Sequence, residues 1–161
     1  KDTSIPPNYG GVGIKFFQTS NLTNNLNNRS IITVLDYEST RIIIPGDNEC
    51  QSLEQLMERD DFREAIANCD ILIAPHHGRM SAYHTEFLKL ANPKLSIVSD
   101  GSICDTSANS YYSQRSSGWD VWKNGTTTTR YLLTTNSDGE IYIDFGRDLG
   151  AENPYLRVEI K

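Results

Sequence analysis

Cysteine is scarce in this sequence: Cys50, Cys69 and Cys104 are an odd number with no C-x-x-C spacing. That argues against a disulfide framework or a thiolate zinc knot and makes a reducing, cytoplasmic compartment the expectation. No apolar run approaches the ~18 residues that a membrane-spanning helix needs, and the start lacks a basic-then-apolar signal segment. Basic residues are a minority, 15 Lys and Arg against 21 Asp and Glu, for a net charge of -6. Phosphate contacts need clustered Lys and Arg, so a general electrostatic grip on nucleic acid is disfavoured. A bound cation could still supply a positive field locally. No internal repeat, no G-x-x-x-x-G-K-[ST] loop and no Ser-His-Asp or Cys-His arrangement is readable.

What is present is enough for one packed domain. The 161 residues are 37% hydrophobic and 22% charged, which supports a core and argues against wholesale disorder. The chain opens on Lys1 rather than Met, so a piece of a longer protein or a processed product is expected. Sequons at Asn21, Asn28 and Asn124 are of a kind that arises by chance.

The middle of the chain reads as an α/β layer pattern. A first strand is expected over residues 12–17, then a polar, Asn-rich loop over 18–28. SIITVLDY (30–37) and RIIIP (41–45) are β-branched runs read as a hairpin whose strands are covered on both faces. A helix opens at Ser52 and carries Leu53, Leu56, Met57, Phe62, Ala65 and Ile66 at helical spacing. CDILIA (69–74) is a buried strand ended by Pro75, 85–91 a short helix stopped by Asn92-Pro93, and KLSIVS (94–99) the next strand. Residues 131–135 and 140–145 are expected to pair as a hairpin across Asn136-Ser137-Asp138-Gly139, with 156–160 a short edge strand.

Chemistry is expected where polar residues follow buried strands. Asp47 emerges after the triple-Ile strand, with Gly46 giving the backbone room to turn; alone, it reads as a turn residue. His76 and His77 sit side by side after CDILIA, either a hydrogen-bonded loop pair or metal and proton chemistry. Together they place acid and imidazole on one edge of the sheet, a donor set that suits Zn²⁺, Mn²⁺ or Fe²⁺. Three protein ligands are the usual floor for a catalytic site, and about two are offered here: half a metal site. Arg79 could meet a substrate phosphate or serve as a structural ion-pair partner. Asp100 could join the site edge or simply hold a turn. Asp105, Tyr111, Tyr112 and Arg115 form a polar stretch read as a possible lid, Trp119 and Trp122 are expected to pack on the sheet, and His84 is expected to be exposed and inert.

Taken in order, Asn27-Asn28-Arg29-SIITVLDY, RIIIPGDNE, CDILIAPHHGR and PKLSIVSDG resemble the metallo-β-lactamase-fold hydrolases, most nearly the ComEC-type competence branch. That branch runs from an N-x-S-L-V strand to an L-x-G-D turn, a helix and a P-H-H-G-S turn. The resemblance covers residues 12–101, with a looser echo in 134–143. It implies an αββα sandwich around two divalent metal ions, zinc or manganese. Asp47 matches the bridging carboxylate and His76 or His77 the late histidine ligand. His76 is favoured as first after the strand, which leaves His77 a catalytic proton carrier. Asn27 or Asn28 falls near where many relatives place a third-motif histidine, and no histidine is present there; Arg79, Asn28 and Asp100 are the candidate substrate-binding residues. The family's H-x-H-x-D-H turn is absent, Arg79 replaces the usual Ser, and no G-H-P turn follows. The implied reading is one partial domain, the C-terminal half of a hydrolase. An upstream half on the same or another chain would complete it, with a phosphodiester such as a nucleic acid or nucleotide as substrate. The alternatives are a non-catalytic interaction module, or a hydrolase of a lactone, thioester or amide.

Overall fold

A computed structural model describes residues 10–19, 24–102, 105 and 107–161. Among them the chain forms a mixed α/β fold of two sheets and five α-helices. The first three strands, β1 (Gly13–Phe17), β2 (Ile32–Tyr37) and β3 (Thr40–Ile44), form an antiparallel meander. The β2–β3 hairpin turns on Glu38 and Ser39, both at positive φ, the mirror-image geometry that matches strand twist.

From β3 the chain crosses through α1 (Cys50–Met57) and α2 (Asp60–Ile66) to the parallel strand β4 (Ile71–Ile73). It crosses again through α3 (Thr85–Ala91) to β5 (Leu95–Val98). The single helix expected from Ser52 onward is therefore two. Arg59 is extended, and Asp60 and Asp61 supply the acidic first turn of a new helix, with Asp61 paired to Arg59 at 2.7 Å. His84 is no idle side chain: it caps α3, its Nδ1 accepting from the N–H of Phe87 at 3.1 Å.

After β5 come α4 (Asn109–Arg115), a hairpin of β6 (Trp119–Lys123) and β7 (Thr126–Arg130), then β8 (Leu132–Thr134). The expected lid is instead the helix α4, anchored by Tyr112, which is 1% exposed. The hairpin turns on Asn124-Gly125 at positive φ. β8 then joins the first sheet beside β5, while β9 (Ile141–Gly146) joins the second, so 131–145 is not a hairpin. The intervening turn is a one-turn helix, α5 (Thr135–Asp138). Thr134 Oγ1 accepts from the Ser137 N–H at 3.1 Å, and Asp138 accepts from the Thr134 N–H at 2.9 Å. The final strand β10 (Tyr155–Ile160) is not an edge; it lies between β6 and β9, because Val158 and Ile160 are needed in the core.

The first sheet runs β1-β2-β3-β4-β5-β8 and is apolar on both faces. Ile32, Val34, Ile43, Leu72 and Val98 meet Leu53, Leu56, Phe62, Phe87, Leu88 and Tyr112 from the helices. On the opposite face Ile42, Ile71, Leu95, Ile97 and Leu133 meet Val121, Val158 and Ile160 of the second sheet, ordered β7-β6-β10-β9. The layers are thus helix, sheet, sheet. Trp119 packs into the inter-sheet core, while Trp122 lies outside it, its ring under the Arg157 guanidinium at 5.0 Å. Among the described residues no helix is long and apolar enough to cross a membrane. Asn21 and Cys104 lie outside the described residues.

Candidate functional site

Four consecutive parallel strands, β3, β4, β5 and β8, end on one edge. Onto that rim they deliver Asp47, His76 and His77, Ser99 and Asp100, and Thr135. Two loops form its centre, and one backbone bond joins them: the His76 N–H donates to the Gly46 carbonyl at 2.9 Å.

The loop after β3 is held from below. Asn48 is fully buried and its Nδ2 donates to the carbonyls of Ser30 (3.0 Å) and Pro45 (2.6 Å), closing the turn on itself. Ser30 Oγ accepts from the Asp47 N–H at 3.2 Å. Asn28, 2% exposed, accepts the Glu49 N–H on its Oδ1 at 2.9 Å. It is therefore a bolt beneath the loop, with no surface to offer a substrate, and the acceptor asparagine of its sequon is buried. Asp47 projects above this frame with its side chain 48% exposed.

The loop after β4 is strained. His76 (φ 46, ψ 49) and His77 (φ 57, ψ 29) are both left-handed, followed by Gly78 at φ 71. Non-glycine residues adopt this region at a cost of order 1 kcal/mol or more each, and such strain collects at functional sites. Gly78 permits the turn by lying against Val98: a Cβ there would stand 3.0 and 3.1 Å from the two valine methyls.

The strain sends the two rings to different partners. His77 Nδ1 lies 2.5 Å from the Ser99 carbonyl, which can only accept, so the ring proton sits on Nδ1. In the neutral ring the bare Nε2 then faces Asp47 Oδ1 at 3.6 Å. His76, 8% exposed, turns the other way. Its Nδ1 lies 3.1 Å from Glu49 Oε1 and 3.4 Å from Ser81 Oγ, and its Nε2 lies 3.2 Å from Arg79 Nη1. Glu49 also accepts from Asn27 Nδ2 at 2.9 Å; that bond, with His76 and Arg79 nearby, holds its carboxyl below the usual value.

Of the residues singled out in the sequence, Asp47 and His77 are thus brought face to face, and His76 and Arg79 form a neighbouring pair. Asp100 does something else: its Oδ1 accepts from the Asn136 N–H at 3.0 Å, which ties the end of β5 to α5. Glu49, Asn48 and Ser99 were missed. Glu49 carried one readable signal, a second acid two residues after Asp47, but Ser99 acts through its backbone carbonyl and leaves no trace in sequence.

A divalent cation bound tetrahedrally at about 2.1 Å from two ligands holds them ~3.4 Å apart. Asp47 Oδ1 and His77 Nε2 fit one edge of such a site, with His77 oriented by a carbonyl on its other nitrogen in the manner of metal-bound imidazoles. Among the described residues no group of three or more His, Cys, Asp or Glu side chains is placed to hold a metal. The fit is therefore to one edge of a single-cation site, and two cations would need donors from elsewhere. A cavity of about 500 Å³ opens at the opposite edge around Asp36, Arg41 and Asp70, but its charges are paired internally (Arg41–Asp36 2.6 Å, Lys94–Asp70 2.7 Å). The chemistry-bearing groups are on the rim.

No protein-family model matches this chain, and no curated protein matches it.

Proposed function

We propose that this chain is part of a metal-dependent hydrolase acting on phosphate esters, with the Asp47–His77 rim as its share of the metal site. The observation that carries this reading is a pair of electron-rich atoms, His77 Nε2 and Asp47 Oδ1, held 3.6 Å apart at the ends of parallel strands. Between two such atoms a cation is the natural occupant. Of the two imidazoles we place His77 on the cation, since both nitrogens of His76 already have partners. Zinc or manganese ions there would place positive charge on the scissile group and make water nucleophilic at neutral pH.

The chain's own residues bind and orient. Asp47 supplies charge to the rim, the Ser99 carbonyl keeps the His77 proton on Nδ1, and the Gly46–His76 bond holds the two loops together.

The remaining donors come, in this reading, from a second half on the same or another chain. The helix–sheet–sheet layering is then three layers of an αββα sandwich. Two uncovered surfaces support this. The outer face of the second sheet exposes Trp122 and Tyr142 (39% and 45%). Beside the rim, Phe16, Thr33 and Ile44 align across β1, β2 and β3, with Phe16 65% exposed and Ile31 nearby 56% exposed. The sparse, unpatterned cysteines keep a reducing cytoplasmic compartment in the reading.

The shortage of donors among the described residues favours a second reading, a non-catalytic interaction module. Metal analysis of the purified parent protein separates the two. Stoichiometric zinc or manganese that disappears in Asp47→Ala supports the hydrolase, and no metal in a folded sample supports the module. Turnover of bis-p-nitrophenyl phosphate against nitrocefin then tests the bond cleaved.

A further inference from the structure

The metal reading leaves unused a strongly cationic group next to the rim, Arg79. We infer that Arg79 is an anion seat for a substrate phosphoryl group, and that Glu49 and His76 are positioning residues that aim its guanidinium. The inference rests on the rim being the reaction site, but capture of the anion needs no metal.

The hydrogen-bond polarity is fixed by chemistry. A guanidinium only donates, so at 3.2 Å from Arg79 Nη1 the His76 Nε2 accepts. The ring's proton is then on Nδ1, which has Ser81 Oγ as its hydrogen-bond partner at 3.4 Å and the Glu49 Oε1 carboxylate in ion-pair contact at 3.1 Å. Glu49 is itself anchored twice, its carboxylate by Asn27 and its backbone by buried Asn28. A chain of polar contacts thus runs from the buried loop frame through a buried imidazole to an exposed arginine.

The arginine at its end is uncommitted. Among the described residues its guanidinium makes one hydrogen bond, to a ring nitrogen, and no ion pair within 4.0 Å. The Asp105 carboxylate, held low by Ser107 with Arg79 a smaller influence, is fully exposed and screened by solvent. Most of the planar fork is left for a ligand, and that fork matches two oxygens of a phosphoryl group at once. The imidazole–imidazole centroid distance of 6.2 Å places the arginine's anchor beside the ring that faces Asp47. With a net charge of -6 the chain repels a long polyanion, so the fitting ligand class is a small phosphate ester such as a nucleotide.

The test is phosphate binding by the full chain with a chelator present, measured by calorimetric titration with inorganic phosphate in every variant, with the side-chain Nε–H resonance of Arg79 followed alongside wherever Arg79 is present. Saturable binding is expected, weakened about tenfold or more in Arg79→Gln, the loss of one charge-assisted contact. Glu49 supplies the readout that a bystander would not move. Removing a nearby negative charge should by itself tighten anion binding, whereas loss of the aiming contact should weaken it. Glu49→Ala is therefore expected to bind phosphate several-fold more weakly, and Glu49→Gln, which keeps a polar oxygen against His76, to restore it. Unchanged binding in Arg79→Gln, no saturable binding, or tighter binding in Glu49→Ala overturns the inference. Because the chelator removes metal, each of these outcomes is independent of whether the hydrolase reading stands.

Discussion

His77 Nε2 faces Asp47 Oδ1 while the adjacent ring, His76, faces Glu49 and Arg79. Two neighbouring histidines therefore serve different partners, and the cause is a backbone with both residues left-handed. Strain and site geometry are the same feature here, which makes them testable through stability.

At position 77, with φ 57, a β-carbon is unfavourable whatever side chain follows it. His77→Gly should be more stable than His77→Ala by about 1 kcal/mol, the reverse of the usual order. Both lose the bond to Ser99, so the difference isolates the backbone. Urea denaturation measures it, and an equal or more stable alanine variant would show that the left-handed geometry is wrong.

Gly78 combines a φ of 71 with close approach to Val98. Gly78→Ala should cost roughly 1–3 kcal/mol through conformation and overpacking together. In the Val98→Ala background the overpacking part vanishes and the conformational part remains. A double-mutant cycle with no coupling would mean the valine is not the obstacle.

Buried Asn28 holds the N–H of Glu49. Asn28→Ala leaves that donor without a partner and should destabilise by about 1–3 kcal/mol. It should also weaken any metal held at Asp47, since the loop carrying both residues loses its bolt. Asp47→Ala should do the opposite: exposed, with His77 its one side-chain partner among the described residues, it should lose metal with a stability change within about 0.5 kcal/mol. Thermal unfolding beside metal titration separates the two patterns.

Burial pushes the Cys69 thiol from 9.0 up to about 12, and burial likewise raises the Tyr112 hydroxyl from its ordinary 10.0. Both are neutral when protonated, so the folded state keeps protons that the unfolded chain releases at lower pH. Their contribution is whole below about pH 9, the unfolded thiol value, and fades as pH climbs toward 12. Denaturation midpoints should fall across that window, and Cys69→Ala should flatten the fall. A midpoint that stays level from pH 9 to 12 would contradict the burial of both groups.

Much of the layered pattern was readable from residue order. The β-branched runs marked β2, β3 and β5, and Thr85 with Asn92-Pro93 bracketed α3 at its true ends. The Asn124-Gly125 hairpin is equally legible, since that dipeptide favours the positive φ both residues adopt. The break between α1 and α2 was harder, because charged residues rather than Gly or Pro make it. The split of 131–145 between two sheets was beyond local reading: Asn-Ser-Asp-Gly suits a hairpin, but Thr134 and Asp138 use it to close a helical turn.

Composition and order were enough to state that an acid and an imidazole pair follow adjacent buried strands and so meet on one edge, since parallel strands share a direction. Which imidazole meets the acid depended on contacts between residues far apart in the chain. The His76 N–H reaches Gly46, Gly78 lies against Val98, and the Ser99 carbonyl takes one nitrogen of His77. Local preference acts over a few residues and disfavours two left-handed histidines in a row. Only the packed sheet holds them there, and with them the direction of each ring.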